Sequence, residues 1–133
     1  MYFIDTNTCI YFLNGKYPSI KEKFLSISPK EIKIPAIVKA ELLLGAYKSQ
    51  TKTQTIKKVK NFLSPFEIVP FTNDMTEDYA KIRATLESVG KTIGANDYLI
   101  AAIAKNQNAI LVTHNKDEFS HINNLKLEDW VSL

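Results

Sequence analysis

The chain has 133 residues, 45% of them hydrophobic, which is the size of one domain able to bury a core without disulfides or structural metal. Against 14 acidic residues stand 17 basic ones, a formal charge of +3 that is too mild to mark a nucleic-acid binder by itself, and the single cysteine, Cys9, excludes an internal disulfide framework and fits a reducing compartment. No apolar run approaches the roughly 18 residues of a membrane span, and the opening MYFI lacks a basic flank and is broken by Asp5 and Asn7, so a cytoplasmic protein is expected.

Tyr2 to Ile4 reads as a first strand, after which Thr6 or Asn7 can cap a short helix running to the turn signal Asn14-Gly15. Ile20, Phe24 and Ile27 keep helical spacing up to Pro29, and Ile32-Lys33-Ile34 alternates as a strand does. Pro35 is well placed to start a strongly apolar helix from Ala36 to Tyr47, and a polar loop through Thr53 leads to another helix ending near Ser64-Pro65. Phe66 to Phe71 is a strand candidate weakened by Pro70. The longest helix is expected from Asn73 to about Val89, with Met75, Tyr79, Ile82 and Leu86 on one stripe and Gly90 as its stop. Asn96 to Asn106 is a further helix, Ala109 to Val112 a short apolar strand of the buried parallel kind, and Leu125 to Leu127 the last strand. Alternating strands and helices, with no repeat or linker, define a single α/β domain over residues 1–133 with a mainly parallel sheet.

Four acids lie in or beside segments that otherwise read as core. Asp5 stands at the carboxyl end of the first strand, where open α/β sheets build their sites; its bland alternative is a helix cap, a task Thr6 and Asn7 can already perform. Glu41 has Ile37, Val38, Leu44 and Gly45 as its helical neighbours, and an ionised carboxylate in such company is costly unless a cation or hydrogen bonds compensate. Asp97 follows the expected cap Asn96, where the helix dipole alone would explain it, but the continuation Leu99 to Ala104 is so apolar that the helix must be buried and its start must sit at a sheet end. Glu118 follows the strand Ile110-Leu111-Val112 by the loop Thr113 to Asp117, with Asp117 as a competitor for the same role. Carboxylates gathered at one point repel one another, and a divalent cation is the usual reason for tolerating them. Mg²⁺ takes one or two carboxylates directly, keeps several waters, and can activate water for attack on a phosphodiester; the lack of a Cys/His set argues against zinc.

FIDTNTCI at the start, AIVKAELLLGA, GKTIGANDYLIAAIAKNQNAILVTHNKDEF and the closing LKLEDW, in this order and spacing, make the chain resemble the PIN domain and, within it, the VapC toxins of bacterial toxin-antitoxin pairs. The resemblance implies a PIN-like three-layer α/β/α sandwich with a central, mainly parallel sheet of about four to five strands. It implies a Mg²⁺- or Mn²⁺-dependent endoribonuclease, usually a homodimer, that cleaves RNA in the class of transfer-RNA loops and blocks translation until a cognate VapB-like antitoxin neutralises it, with operator DNA bound only through the antitoxin complex. By position it puts the family's acids on Asp5, Glu41, Asp97 and Glu118, its small hydroxyl on Thr6, and the polar loop position on Asn115.

Other readings are weaker on the residues. A haloacid-dehalogenase-like phosphatase with Asp5 as nucleophile needs an acid where Asn7 stands, a receiver-type signalling domain needs a phosphoacceptor aspartate after Ile34, and a silent binding module would be expected to lack one of the four acids. His114 and His121 as general bases and Cys9 as nucleophile are all disfavoured, and Trp130 is read as a packing or interface anchor. Lys48, Lys52, Lys57, Lys58 and Lys60 read first as a solvated helix face and second as a surface for RNA phosphates; with Arg83 as the lone arginine, the basic set suits positioning rather than bidentate base reading.

Overall fold

The computed structural model describes residues 1–132, leaving Leu133, the last residue of the expected domain, outside the described set. The strands are β1 (Tyr2–Ile4), β2 (Ile32–Pro35), β3 (Glu67–Val69), β4 (Ile110–Val112) and β5 (Lys126–Glu128). The helices are α1 (Thr6–Asn14), α2 (Pro18–Ser26), α3 (Ala36–Tyr47), α4 (Lys52–Leu63), α5 (Thr76–Ser88), α6 (Ala95–Asn106) and a single turn, α7 (Lys116–Phe119).

All pairings in the sheet are parallel, and the strand order is β3-β2-β1-β4-β5. Right-handed crossovers carry α1 to α4 over one face while the chain steps outward from β1 to β3; the return to β4 reverses direction and carries α5 and α6 over the other face. The result is the α/β/α sandwich with a short parallel sheet that the sequence implied. β1 is the central strand, and the order reverses between β1 and β4. The crevice beyond the carboxyl ends of these two strands is where an open sheet of this kind receives its ligand.

The three inner strands carry the buried centre of the sheet: Phe3, Ile4, Ile32, Ile34, Leu111 and Val112 have no exposed surface. α6 is the most deeply buried helix, with Tyr98 and every residue from Ile100 to Ala104 in the core. Running antiparallel to β4, it returns its first turn, and therefore Asp97, to the carboxyl end of the sheet. Trp130 is a packing anchor, buried edge-on against Phe24 with ring centroids 5.2 Å apart and 5.6 Å from Tyr2, while its Nε1 donates to Glu128 Oε1 at 2.9 Å.

Several boundaries differ from the expectation, each for a local reason. The segment from Asn73 is split: a 3₁₀ turn over Asn73–Met75, capped by Thr72, whose backbone N–H donates to Met75 Sδ, precedes α5. α4 starts at Lys52, earlier than expected, with Ser49, Thr51 and Thr55 hydroxyls joined at its start. The stretch after Thr113 is a loop only to Asn115, since Lys116–Phe119 closes a helical turn over the buried Phe119. Gly15, at φ +70°, ends α1 in the left-handed conformation that the Asn14-Gly15 signal promised.

Candidate active site

β1 delivers Asp5 to the crevice, and the backbone fixes it there: Asp5 N–H donates to Val112 O at 3.0 Å across the β1/β4 seam. The cap of α1 is Asp5 itself, its Oδ1 accepting from Thr8 N at 2.9 Å, which corrects the assignment of that task to Thr6 or Asn7. Capping and function are therefore not alternatives here, because one carboxylate oxygen holds the helix start while the group stays at the crevice. Freed from capping, Thr6 Oγ1 donates to Glu41 Oε1 at 2.6 Å, tying the first turn of α1 to the second turn of α3. Asp97 stands in the first turn of α6, whose cap is Gly94 and not Asn96, and no side chain caps it. A Cβ added at Gly94 would come within 3.4 Å of Asp97 Oδ2, so a glycine there leaves the carboxylate room.

Asp5, Thr6, Glu41, Asp97, Asn115 and Glu118 all line one cleft of about 140 Å³, together with Asn7 and Phe119. The six residues named from sequence thus meet at the β1/β4 crevice. Asp117 is exposed and does not line that cleft, so of the competing acids the α7 turn brings Glu118 inward. The surroundings of Glu41 are more open than its neighbours suggested, since Leu44 is 60% exposed and Gly45 lies at the surface. Glu41 sits on the boundary between the acid cleft and an apolar groove of about 330 Å³ whose walls include Ile10, Leu13, Leu42, Ala46 and Val59.

The electrostatics are those of acids without a counter-charge. Burial, then the charges of Glu118, Asp5 and Glu41, push the Asp97 carboxyl up to about 6. Burial also raises Asp5, opposed by hydrogen bonds from Thr113 and Thr8 and reinforced by the charge of Asp129. Among the described residues none of the four cleft acids forms an ion pair with a lysine, an arginine or a histidine. The same set contains no three His, Cys, Asp or Glu side chains gathered tightly enough to hold a metal by themselves. The acids ring an open cleft instead. An all-oxygen, uncompensated set of this kind fits a hard cation that takes one or two carboxylates and fills its remaining positions with water.

Three residues at the site carried no role in the sequence reading. Thr113, fully buried at the end of β4, hydrogen-bonds the Asp5 carboxylate while its Oγ1 accepts Asn115 N–H at 3.0 Å. Asp129, in the closing LKLEDW, raises Asp5 and accepts from His114 Nδ1 at 2.9 Å. His114, disfavoured as a general base, is held at the site by that bond. The signal for Thr113 is a polar residue directly after the apolar strand Ile110–Val112, whereas Asp129 follows the mixed strand Lys126–Glu128 and carries no such signal; a strand end becomes a site only when the sheet order is known. Cys9 is wholly buried, and burial followed by the Asp5 charge raises its thiol well above the ordinary range, which removes it as a nucleophile.

The Thr6 to Glu41 bond offers a direct test of the cleft. Thr6→Val keeps the shape and deletes the donor, and about a tenfold loss of the protein's activity is expected, with Thr6→Ser retaining most of it. Equal activity of the valine and serine variants would show that the bond does not orient Glu41.

A parallel α/β sandwich with an acid-lined crevice at its strand-order reversal defines a PIN-type domain, and the PIN domain family profile matches residues 2–125 of the chain. The relatives narrow this further. The chain is 44% identical over 132 residues to the protein named Ribonuclease VapC2 from Rickettsia felis, covering 98% of each, and 30% identical over 129 residues to the tRNA(fMet)-specific endonuclease VapC of Shigella flexneri, covering 97% of each. The crystal structure of VapBC2 from Rickettsia felis bound to a DNA fragment from its promoter superposes with a TM-score of 0.91 at 42% identity, covering 97% of this chain and 98% of that one. The chain belongs to the PIN-domain family and, within it, to the VapC proteins. That membership displaces the phosphatase and receiver readings. No helix among the described residues is long and apolar enough to cross a membrane.

Proposed function

We propose that the protein is a Mg²⁺- or Mn²⁺-dependent endoribonuclease acting on transfer RNA in the cytoplasm, the toxin of a pair whose VapB-like antitoxin holds it inactive. The observation that carries this reading is the meeting of Asp5, Glu41, Asp97 and Glu118 in one cleft where, among the described residues, no lysine, arginine or histidine pairs with them. The relative from Shigella flexneri, named as a tRNA(fMet)-specific endonuclease, supports the substrate class, and the VapBC2 complex from Rickettsia felis supports the partner.

Asp5 and Asp97 would hold the ion, with Glu41 and Glu118 as ligands or as acceptors orienting its waters. Bound there, such an ion would supply Lewis acidity toward a phosphoryl oxygen and toward an attacking water. The protein's own groups do the positioning. Thr6 fixes one oxygen of Glu41, Thr8 and Thr113 fix Asp5, and the Asn115 amide on the cleft wall is available to a phosphate oxygen. Lys52, Lys57, Lys58 and Lys60, all exposed on α4, meet flanking phosphates as point charges. The lone arginine takes no part: Arg83 is held on α5 by Tyr79 and Glu87 and lies 5.0 Å from the Tyr98 ring centre. The apolar groove beside Glu41, with Leu44 and Tyr47 exposed near it, is the surface best suited to an antitoxin segment.

The test is cleavage of a total-RNA pool by the purified protein. Discrete fragments are expected with Mg²⁺ or Mn²⁺, and EDTA abolishes them. Cleavage that persists under chelation would overturn the metal mechanism.

A further inference from the structure

Beside the acid cleft lies a second depression, of about 170 Å³, that shares Asp5, Asn7 and Asn115 with it and is closed on its far side by Tyr11 and His114. Its aromatic wall is held in place from behind. Tyr17 packs edge-on against Tyr11 with centroids 5.0 Å apart and lies 5.8 Å from the His114 ring, which is itself 6.2 Å from Tyr11. His114 Nδ1 donates to Asp129 Oδ2 at 2.9 Å, and Asp129 Oδ1 accepts Val131 N–H at 2.9 Å, so the imidazole is aligned by a carboxylate that is itself anchored. Beside these rings, Lys16 Nζ sits 5.2 Å from the Tyr11 ring centre and 5.3 Å from that of Tyr17.

Planar side chains with one cation, contiguous with a cleft for a phosphodiester, form the arrangement that takes up an unstacked base of a single strand. We propose that the depression walled by Tyr11 and His114 receives the unpaired base next to the scissile phosphate, with Lys16 meeting the backbone beyond it. His114 and Tyr11 offer ring surface to the base, Asp129 is a positioning residue acting through His114, and Tyr17 supports both rings. A phosphate at the acids puts its neighbouring nucleoside within reach of this depression, because the shared wall of Asp5, Asn7 and Asn115 leads directly from one depression to the other. The inference rests on the ribonuclease reading and adds to it a place where base identity can be sensed.

The experiment uses the full chain and an RNA oligonucleotide carrying the cut site mapped in the total-RNA assay, made intact or with an abasic residue on either side of the cut. His114→Ala is expected to raise KM about tenfold on the intact RNA with kcat changed less than about twofold, and His114→Phe to restore most of the loss by returning a planar ring. One abasic position should cost the wild type the same factor, and on that RNA His114→Ala should add nothing. Equal losses on intact and abasic RNA, or an unchanged KM, overturn the subsite. If the wild type cuts no RNA, the ribonuclease reading fails separately, and the subsite is judged by fluorescence anisotropy with labelled oligoadenylate against an abasic ribose-phosphate chain of the same length. A preference for oligoadenylate that His114→Ala removes upholds it, and no preference overturns it.

Discussion

Asp97→Asn is expected to lower RNA cleavage by roughly 10³-fold while leaving the fold intact, the size of loss seen when one preorganised group around a developing charge is removed. The substitution keeps shape and hydrogen-bonding capacity but removes the charge that three other carboxylates oppose. The same variant should therefore be more heat-stable than the wild type in EDTA at neutral pH. The sign follows from linkage: the folded protein holds the Asp97 proton up to about pH 6, whereas the unfolded chain releases it near 3.8. Asp97 thus contributes its full share of stability below about pH 3.8, and that share is lost as pH rises through about 6. Because the carboxylate is only half-buried, water screens part of the repulsion, and the expected gain is a few degrees of Tm rather than tens. Thermal scans of both proteins in EDTA from pH 4 to pH 8 check this: the curves should converge at the acid end and separate toward neutrality. An active Asp97→Asn enzyme, or curves that stay parallel, would remove Asp97 from the centre of the site.

Saturating Mg²⁺ or Mn²⁺ should raise the wild-type Tm, because a cation that binds only the folded cleft adds stability by mass action. At a hundred times Kd the gain is about 2.7 kcal/mol, equivalent to several degrees for a domain of this size. The source of the gain is specific. The cation would supply the charge that, among the described residues, no lysine, arginine or histidine brings to the four acids. Asp97→Asn and Asp5→Asn should each blunt the rise, while Asp117→Asn, altering an exposed acid outside the cleft, should leave it whole. A calorimetric scan with and without the metal reads this without any substrate. Equal metal effects on the Asp97 and Asp117 variants would mean that the ion binds elsewhere on the surface.

Much of this architecture is legible in the sequence. The strand at Ile110–Val112 and the helix of Ala95–Asn106 announce their burial through unbroken apolar runs, and Ala36–Tyr47 was delimited to the residue by Pro35 before it and the polar stretch after it. The four acids stand out because each lies in or beside such a run, and burial makes an uncompensated charge expensive enough to need a reason. The details that failed are those set by competition between neighbouring groups. Asp5, Thr6 and Asn7 are all good caps, and which one serves is decided by the Val112 carbonyl that holds Asp5 and by the Glu41 carboxylate that draws Thr6 away. Glu41 itself was read as enclosed because its helix is apolar on most sides; the structure leaves Leu44 and Gly45 open and turns that side into a groove.

The sequence by itself determined the alternation of strands and helices, the identity of the acids and the family to which the chain belongs, because burial periodicity and motif order are local properties of the chain. Tertiary structure alone decided that Glu118 rather than Asp117 faces Asp5, that Thr113 and Asp129 bear on the Asp5 carboxylate, and that Tyr11, Tyr17 and His114 form one wall beside it. Those relations join residues of α1, α7 and the last segment across a sheet whose order reverses between β1 and β4. Strand order is fixed by the packing of helices on both faces, a balance over the whole core that no short stretch of residues carries.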